Sequence, residues 1–195
     1  MDNGSSAKIN ATIHNEATDM CWGKVVYESI PAFVDYSHKL IINGDDFGMD
    51  SSINTAVIKS FENLLISSTS LITNMPGFKD AEHLIHTNKV LEGNVGIHIN
   101  ITEGDPLTDE IRKCKRFCNK EGVYNNKREQ PIFFLTTQEK NAVYKEIKAQ
   151  IKKIFSSHII PSHLDSHHHI HTEWGVSKIV ISLAKEFGIR NIRLC

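Results

Sequence analysis

Short apolar runs alternate with amphipathic helical patterns from Lys39 to Cys195, and this alternation constrains the fold more than any other feature. The apolar runs predict five strands, over 39–43, 69–73, 94–101, 159–166 and 190–194. Apolar residues recur at helical spacing in the intervening stretches, over 51–63, 78–87, 136–154 and 174–187. Strands that alternate with helices indicate a parallel sheet of the α/β class.

Composition excludes several classes of protein. The chain has 195 residues, which suits one domain with a real core, and its net charge is −1. We expect neither nucleic acid nor a membrane surface as a partner, since both favour a basic excess, and no apolar run reaches the ~18–20 residues of a bilayer span. Four scattered cysteines and a polar start without an apolar leader indicate a reduced, cytoplasmic protein. The oligomeric state stays open, a homo-oligomer included.

The pattern divides the chain into regions. Residues 1–37 lack a sustained period and predict a weakly ordered N-terminal extension. The domain itself is predicted over 38–195, with a lid-like insert at about 102–136 because a gap of that length is usually functional. Thr136 and Glu139 have the spacing of a capping box that opens the next helix.

Polar clusters follow three of the predicted strands. They are Asp45-Asp46 in the turn after the first strand, His98 with Asn100 near the end of the third, and residues 165–171 after the fourth. Ligands of α/β proteins bind at the carboxyl ends of the strands. Two imidazoles and a carboxylate form a ligand set for a divalent cation, and a second carboxylate beside it can act as a base.

Each cluster also has a simpler explanation. The acid doublet is typical of a turn or a helix cap, and a lone inward histidine is more often a hydrogen-bonded core residue. A run of histidines on a loop can bind metal without a function. Their coincidence at three strand ends of one sheet favours the functional interpretation.

Other motifs carry less weight. Cys114 and Cys118 have no second pair nearby, so one helical turn with two cysteines is a better interpretation than half a zinc site. The sequence contains no P-loop, G-x-G-x-x-G, G-x-S-x-G or H-E-x-x-H motif. Nucleotide binding and serine hydrolase chemistry therefore lack their usual markers.

Four ordered stretches carry a family resemblance. They are LIINGDDFGM (40–49), SSTSLITNMPGF (67–78), VGIHINITEGDPL (95–107) and PSHLDSHHHIH (161–171). Together they resemble the YdjC-like carbohydrate deacetylases, the group that includes chitooligosaccharide deacetylase. The resemblance extends from about Lys39 to the last residue.

The resemblance implies a fold, a reaction and a ligand set. The expected fold is a distorted TIM-like (β/α) barrel, and the expected reaction removes acetyl groups from N-acetylated oligosaccharides with a divalent metal ion, Mg²⁺ or Zn²⁺. By motif, Asp46 is the metal carboxylate, His98 and His167 are the imidazole ligands, and Asp45 is the general base. Glu103, His169 and His171 are implied as residues that contact substrate at the rim.

The chain departs from the family pattern in two ways. Gly44 stands where alanine is usual. Family members also continue further, through a His-Pro motif that looks like the source of a general acid and through the strands that close the barrel. The expected barrel is therefore incomplete at its C-terminal side, and two alternatives to a deacetylase remain. One is a truncated, inactive relative that binds metal or sugar, and the other is a different metal hydrolase, such as a phosphoesterase.

Overall fold

The computed structural model of the protein describes residues 40–125 and 132–194. The predicted extension over 1–37 lies outside the described residues. In chain order the strands are β1 (Asn43–Phe47), β2 (Ser68–Leu71), β3 (Val95–Ile99) and β4 (Leu164–Ser166). The helices are α1 (Ser51–Glu62), α2 (Phe78–Thr87), α3 (Asp109–Arg112), α4 (Thr137–Ser156) and α5 (Trp174–Phe187), with 3₁₀ segments at Lys89–Leu91 and His167–Thr172.

The four strands form one parallel sheet in the order β1-β2-β3-β4. Each strand pairs with the next along the chain, and helices α1, α2 and α4 lie in the successive connections. This confirms the predicted α/β class. A parallel sheet in which strand order follows chain order is the arrangement of a (β/α) barrel, whereas a doubly wound sheet reverses direction at its centre.

The strand boundaries differ from the predicted ones. The first strand was expected over 39–43, yet β1 begins at Asn43 because its pairing with β2 starts at the Asn43–Ser68 register. Leu40, Ile41 and Ile42 are about half exposed, so their apolar character does not mark the buried strand. As a result, Asp45 and Asp46 lie inside β1 and not in a turn after it.

The other strands are shorter than predicted, and the fifth is reduced to one bridge. Leu164 of β4 pairs in parallel with Ile192, through hydrogen bonds between Leu164 N and Asn191 O (2.9 Å) and between Arg193 N and Leu164 O (3.0 Å). This bridge brings Arg193 to the sheet beside β4.

The helices agree closely with the predicted periodicity. The expected bounds of α2 and α5 are confirmed, and α5 ends at Phe187. Gly188 caps it with a φ of 70°, the left-handed conformation that glycine adopts at no steric cost. The Thr136–Glu139 capping box is present at the start of α4. Among the described residues, no helix is both long and apolar enough to cross a bilayer.

The described part of the 102–136 insert packs onto the domain. Cys114 and Cys118 are buried free thiols on one turn of chain, with Cys118 N donating to Cys114 O at 2.9 Å. Glu146 of α4 is fully buried and accepts hydrogen bonds from the backbone N–H groups of Leu107 and Thr108. The buried carboxylate thereby attaches the insert to α4, and a lid function for the insert stays a prediction.

Candidate metal centre at the carboxyl ends of the strands

The end of β1 carries two acidic side chains on an irregular strand. The β1–β2 register shifts between Gly44 and Phe47, and Asp46 has a φ of 66°. The left-handed conformation is uncommon outside glycine, although aspartate tolerates it better than most residues. Such strain persists only where the surrounding structure maintains it, and it is concentrated at functional sites.

Asp46 contacts the two histidines that the sequence singles out. Its Oδ1 lies 3.1 Å from Nε2 of His98 and 2.7 Å from Nδ1 of His167. His98 lies on β3, where Val95, Ile97 and Ile99 face the opposite side, as strand alternation predicts. His167 begins the 3₁₀ segment that follows β4. The carboxyl ends of β1, β3 and β4 therefore bring these side chains together across the sheet.

The donor set fits a divalent cation. One carboxylate and two imidazoles offer ligand atoms that all lie within 4.8 Å of one another. An ion with bonds of about 2.0–2.2 Å holds neighbouring ligand atoms roughly 3 Å apart, close to the two distances found here. His167 Nε2 is buried and has no hydrogen-bond partner within 40–125 and 132–194, which is unusual for a buried polar atom.

The charges at this centre also favour a cation. Burial raises the pKa of Asp46, but hydrogen bonds from His167 and His98 outweigh it and hold this pKa well below its ordinary value. Burial lowers the pKa of His98, but Asp165 and then Asp46 outweigh it and raise this pKa to about 9. At neutral pH and without a metal ion, His98 is therefore protonated between the carboxylates of Asp165 and Asp46. A bound metal ion would supply positive charge at the same place.

Asp165 lies behind His98 and was assigned no role from the sequence. The two residues are direct partners in the β3–β4 pairing, and His98 Nδ1 lies 2.6 Å from Asp165 Oδ1. Ser70 donates to the other oxygen, Oδ2, at 3.0 Å. The sequence places His98 and Asp165 on consecutive predicted strands of the sheet. Their contact could not be predicted from that alone, because it depends on the register between the two strands.

Asp45 points to a different partner. Arg193 Nη1 lies 2.8 Å and 2.9 Å from its two oxygens, and Asn43 donates to Oδ1 at 2.7 Å. The side chain of Asp45 is about one-third exposed. Its carboxylate is thus oriented by the residue that follows the Ile192 bridge, while its neighbour Asp46 faces the histidines.

The remaining sequence-predicted residues occupy different depths. Glu103 lies at the opening, with Oε2 3.7 Å from His167 Nε2 and Oε1 3.9 Å from His168 Nε2. His169 is exposed, and both it and His168 have left-handed backbone angles. His171 is buried, with Nδ1 2.6 Å from Ser166 Oγ and Nε2 2.6 Å from the Arg193 carbonyl oxygen. The structure therefore places Glu103 and His169 near the surface and His171 beneath it.

Comparison with known proteins gives a consistent picture. Residues 39–195 match the family model described as "YdjC-like protein". Proteins named carbohydrate deacetylase from Vibrio parahaemolyticus, Clostridium beijerinckii and Halalkalibacterium halodurans are 36%, 34% and 31% identical, each over 77% of this chain. The aligned region covers 57%, 58% and 62% of those relatives, so the chain spans about three-fifths of their length.

A solved structure shares the fold. A protein from Enterococcus faecalis V583, described as a candidate cellobiose-phosphate cleavage protein, superposes with a TM-score of 0.66 over 78% of this chain and 57% of its own length. The sequence identity is 22%, so this likeness concerns the fold alone.

Proposed function

Because the chain belongs to the YdjC-like protein family, we propose that it is a carbohydrate deacetylase that hydrolyses the acetamide of N-acetylated sugars with a divalent metal ion. Its named relatives support the substrate class. The observation that carries the proposal is the convergence of Asp46, His98 and His167 at one point, with a second carboxylate, Asp45, beside them on β1.

The proposed ligand set is Asp46, His98 and His167, and the metal is Zn²⁺ or Mg²⁺. A bound divalent cation supplies a Lewis acid that polarises the acetyl carbonyl and lowers the pKa of a water molecule. The side chains contribute fixed positions, since each imidazole and the carboxylate is already within hydrogen-bond distance of another member of the set. This preorganisation limits the rearrangement that metal binding requires.

Asp45 is proposed as the general base that accepts the proton of the attacking water. It is adjacent to a proposed ligand, partly open to solvent and held by Arg193 through both carboxylate oxygens. A base must lie within about 2.6–3.2 Å of the proton donor, so its orientation affects the rate directly. The pairing with Arg193 removes rotational freedom that a carboxylate on a strand end would otherwise have.

Substrate is proposed to enter over Glu103 and His169. The carboxylate of Glu103 can accept hydrogen bonds from sugar hydroxyl groups, and His168 next to it is held by a 3.2 Å contact between its Nδ1 and Thr102 Oγ1. His171 is proposed to support the substrate site from beneath the surface, because its ring joins the 166–171 segment to the Arg193 backbone.

The experiment is acetate release from N-acetylglucosamine oligomers by the 195-residue chain, stripped with chelator and then given Zn²⁺ or Mg²⁺. We expect release that depends on metal and is lost in Asp45→Asn while metal remains bound. Asp109→Asn is the matched control, because Asp109 is an exposed carboxylate at the start of α3, a helix that carries no residue of the proposed site.

Three results would contradict the proposal. Bound metal without acetate release would favour a non-catalytic metal- or sugar-binding protein. Release of phosphate from phosphate esters, with acetylated sugars untouched, would indicate a different metal hydrolase. Equal acetate release by Asp45→Asn and the unmodified chain would remove Asp45 as the base.

A further inference from the structure

Asp165 is a buried carboxylate that no part of the proposed reaction uses. It is 1% exposed and lies on β4, directly beside His98 in the parallel register. Removing a carboxylate from water is costly unless hydrogen bonds and opposite charge compensate. Its environment therefore indicates a specific function.

Three donors surround this carboxylate. Oδ1 lies 2.6 Å from His98 Nδ1, and Oδ2 lies 3.0 Å from Ser70 Oγ and 3.4 Å from Arg193 Nη1. Ser70 Oγ itself accepts from Asn43 Nδ2 at 3.1 Å and lies 2.9 Å from His98 Nδ1, so its own proton is available for Asp165. Oδ1 of Asp165 thus accepts from the His98 imidazole, and Oδ2 accepts from the Ser70 hydroxyl and the Arg193 guanidinium.

The contact to His98 determines which ring nitrogen carries a proton. An ionised carboxylate only accepts hydrogen bonds, so Nδ1 of His98 must donate. In the neutral imidazole Nε2 then keeps its lone pair, and Nε2 is the nitrogen that faces Asp46. A metal ligand needs that lone pair, and the partner on the other ring nitrogen usually provides the orientation.

Arg193 extends this arrangement to the proposed base. One guanidinium nitrogen contacts both oxygens of Asp45 and also Asp165 Oδ2. The two carboxylates are therefore held by the same cation, and the position of Asp45 is fixed relative to the strand that carries Asp165.

We propose, as an inference that rests on the proposed function, that Asp165 is a positioning residue. It holds His98 as the Nδ1–H tautomer and, through Arg193, fixes the position of the Asp45 carboxylate relative to the metal ligands. Asp165→Asn tests this directly. Two donors point at the Oδ2 position, so the asparagine oxygen occupies that place and its NH₂ group faces His98 Nδ1. The NH₂ group cannot accept from Nδ1–H, and the acceptor that remains near Nδ1 is Ser70 Oγ at 2.9 Å. We therefore expect the imidazole to shift towards protonation of Nε2, the nitrogen that faces Asp46.

The test has two readouts besides turnover. The first is Zn²⁺ affinity, measured by competition with a chromophoric chelator, for which we expect a loss of about 10- to 100-fold in Asp165→Asn. The second is the ¹⁵N spectrum of the histidine rings in metal-free protein at alkaline pH, where imidazoles are neutral. We expect His98, assigned by loss of its signals in His98→Ala, to change from the Nδ1–H to the Nε2–H tautomer.

Glu146→Gln is the matched control, because it also neutralises a fully buried carboxylate, and within the described residues its hydrogen bonds run to Leu107, Thr108 and Gln150 and to no proposed ligand. It should leave Zn²⁺ affinity within about threefold and the His98 tautomer unchanged. Circular dichroism and thermal unfolding confirm that each variant is folded.

Unchanged Zn²⁺ affinity together with an unchanged tautomer in folded Asp165→Asn would overturn the inference, as would equal effects in Glu146→Gln. Failure of the proposed function looks different. If the chain releases no acetate but Asp165→Asn changes the His98 tautomer, the deacetylase proposal fails and the positioning role of Asp165 stands.

Discussion

Oδ1 of Asp46 lies 2.7 Å from Nδ1 of His167, although 121 positions separate the two residues in the chain. The contact joins β1, at one edge of the sheet, to the segment after β4, at the other end of the strand order. The side chains of Asp46 and His167 therefore meet over the carboxyl-terminal edge of the sheet, approaching from opposite ends of the strand order, with His98 of β3 between them. A centre built in this way depends on all of these elements being in place.

The first prediction concerns the ligands. His98→Ala and His167→Ala should each lower Zn²⁺ affinity by at least about 100-fold, because each removes one of three proposed protein ligands. Metal content after dialysis, measured by mass spectrometry, checks this. His83→Ala, an exposed histidine on α2, should retain full metal content. Stoichiometric zinc in either ligand variant would refute the assignment.

The second prediction concerns pH and stability of the metal-free protein. The pKa of His98 is raised from 6.5 to about 9, so the folded state retains a proton that the unfolded state loses. This stabilisation is fully present below about pH 6.5 and is lost as pH rises towards 9, at about 1.4 kcal/mol per pH unit. His163, whose pKa burial lowers to about 4, acts at lower pH and in the opposite direction.

Urea unfolding between pH 6.5 and 7.5 with a chelator present measures this effect. The window ends about one pH unit below the ordinary thiol pKa of about 8.5, so the cysteines of the unfolded chain stay largely protonated. The unfolding midpoint should fall steadily across it, and His98→Gln should flatten the dependence. A midpoint that is constant or rises in the unmodified protein would contradict the assigned protonation of His98.

The third prediction concerns the partner of the proposed base. Arg193→Gln should lower kcat for acetate release by about 10-fold or more with bound zinc unchanged, because Asp45 loses the group that orients it. Arg190→Gln, an exposed arginine three positions earlier, is the control and should leave kcat unaltered. Loss of zinc from Arg193→Gln would mean that Arg193 supports the ligands and not the base.

The fourth prediction concerns the attachment of the insert. Glu146 accepts from two backbone N–H groups and from the hydroxyl of Thr108, so Glu146→Gln places an amide donor against these donors. We expect a loss of about 2–4 kcal/mol in the free energy of unfolding, the range for breaking a buried charged network. Glu110→Gln removes an exposed carboxylate paired with Lys145 and should cost no more than about 1 kcal/mol. Equal losses in the two variants would contradict this role for Glu146.

Much of the fold follows from periodicity alone. The bounds of α2 and α5 are recovered because their apolar spacing and end signals agree, including Gly188 after α5. The start of β1 is not recovered, since the hydrogen-bonded register decides it and the apolar run before Asn43 is half exposed.

The candidate site likewise has one part that the sequence predicts and another that it does not. Asp46, His98 and His167 can be predicted to lie near each other because parallel strands end at one edge of a sheet. The contacts of Asp165 with His98 and of Arg193 with Asp45 depend on register and on a single bridge at Ile192, and neither leaves a periodic trace in the sequence. The left-handed backbone of Asp46, which directs the two adjacent acids to different partners, is likewise invisible in composition.

The pairing of Arg193 with Asp45 has a consequence during synthesis. The two residues are 148 positions apart, and a ribosome adds roughly 5–20 residues per second, so Asp45 is made roughly 7–30 s before its partner. For that interval the carboxylate is attached to a growing chain with no Arg193 to hold it. The acid doublet of β1 can thus acquire its final orientation only after the other strands of the sheet have been translated.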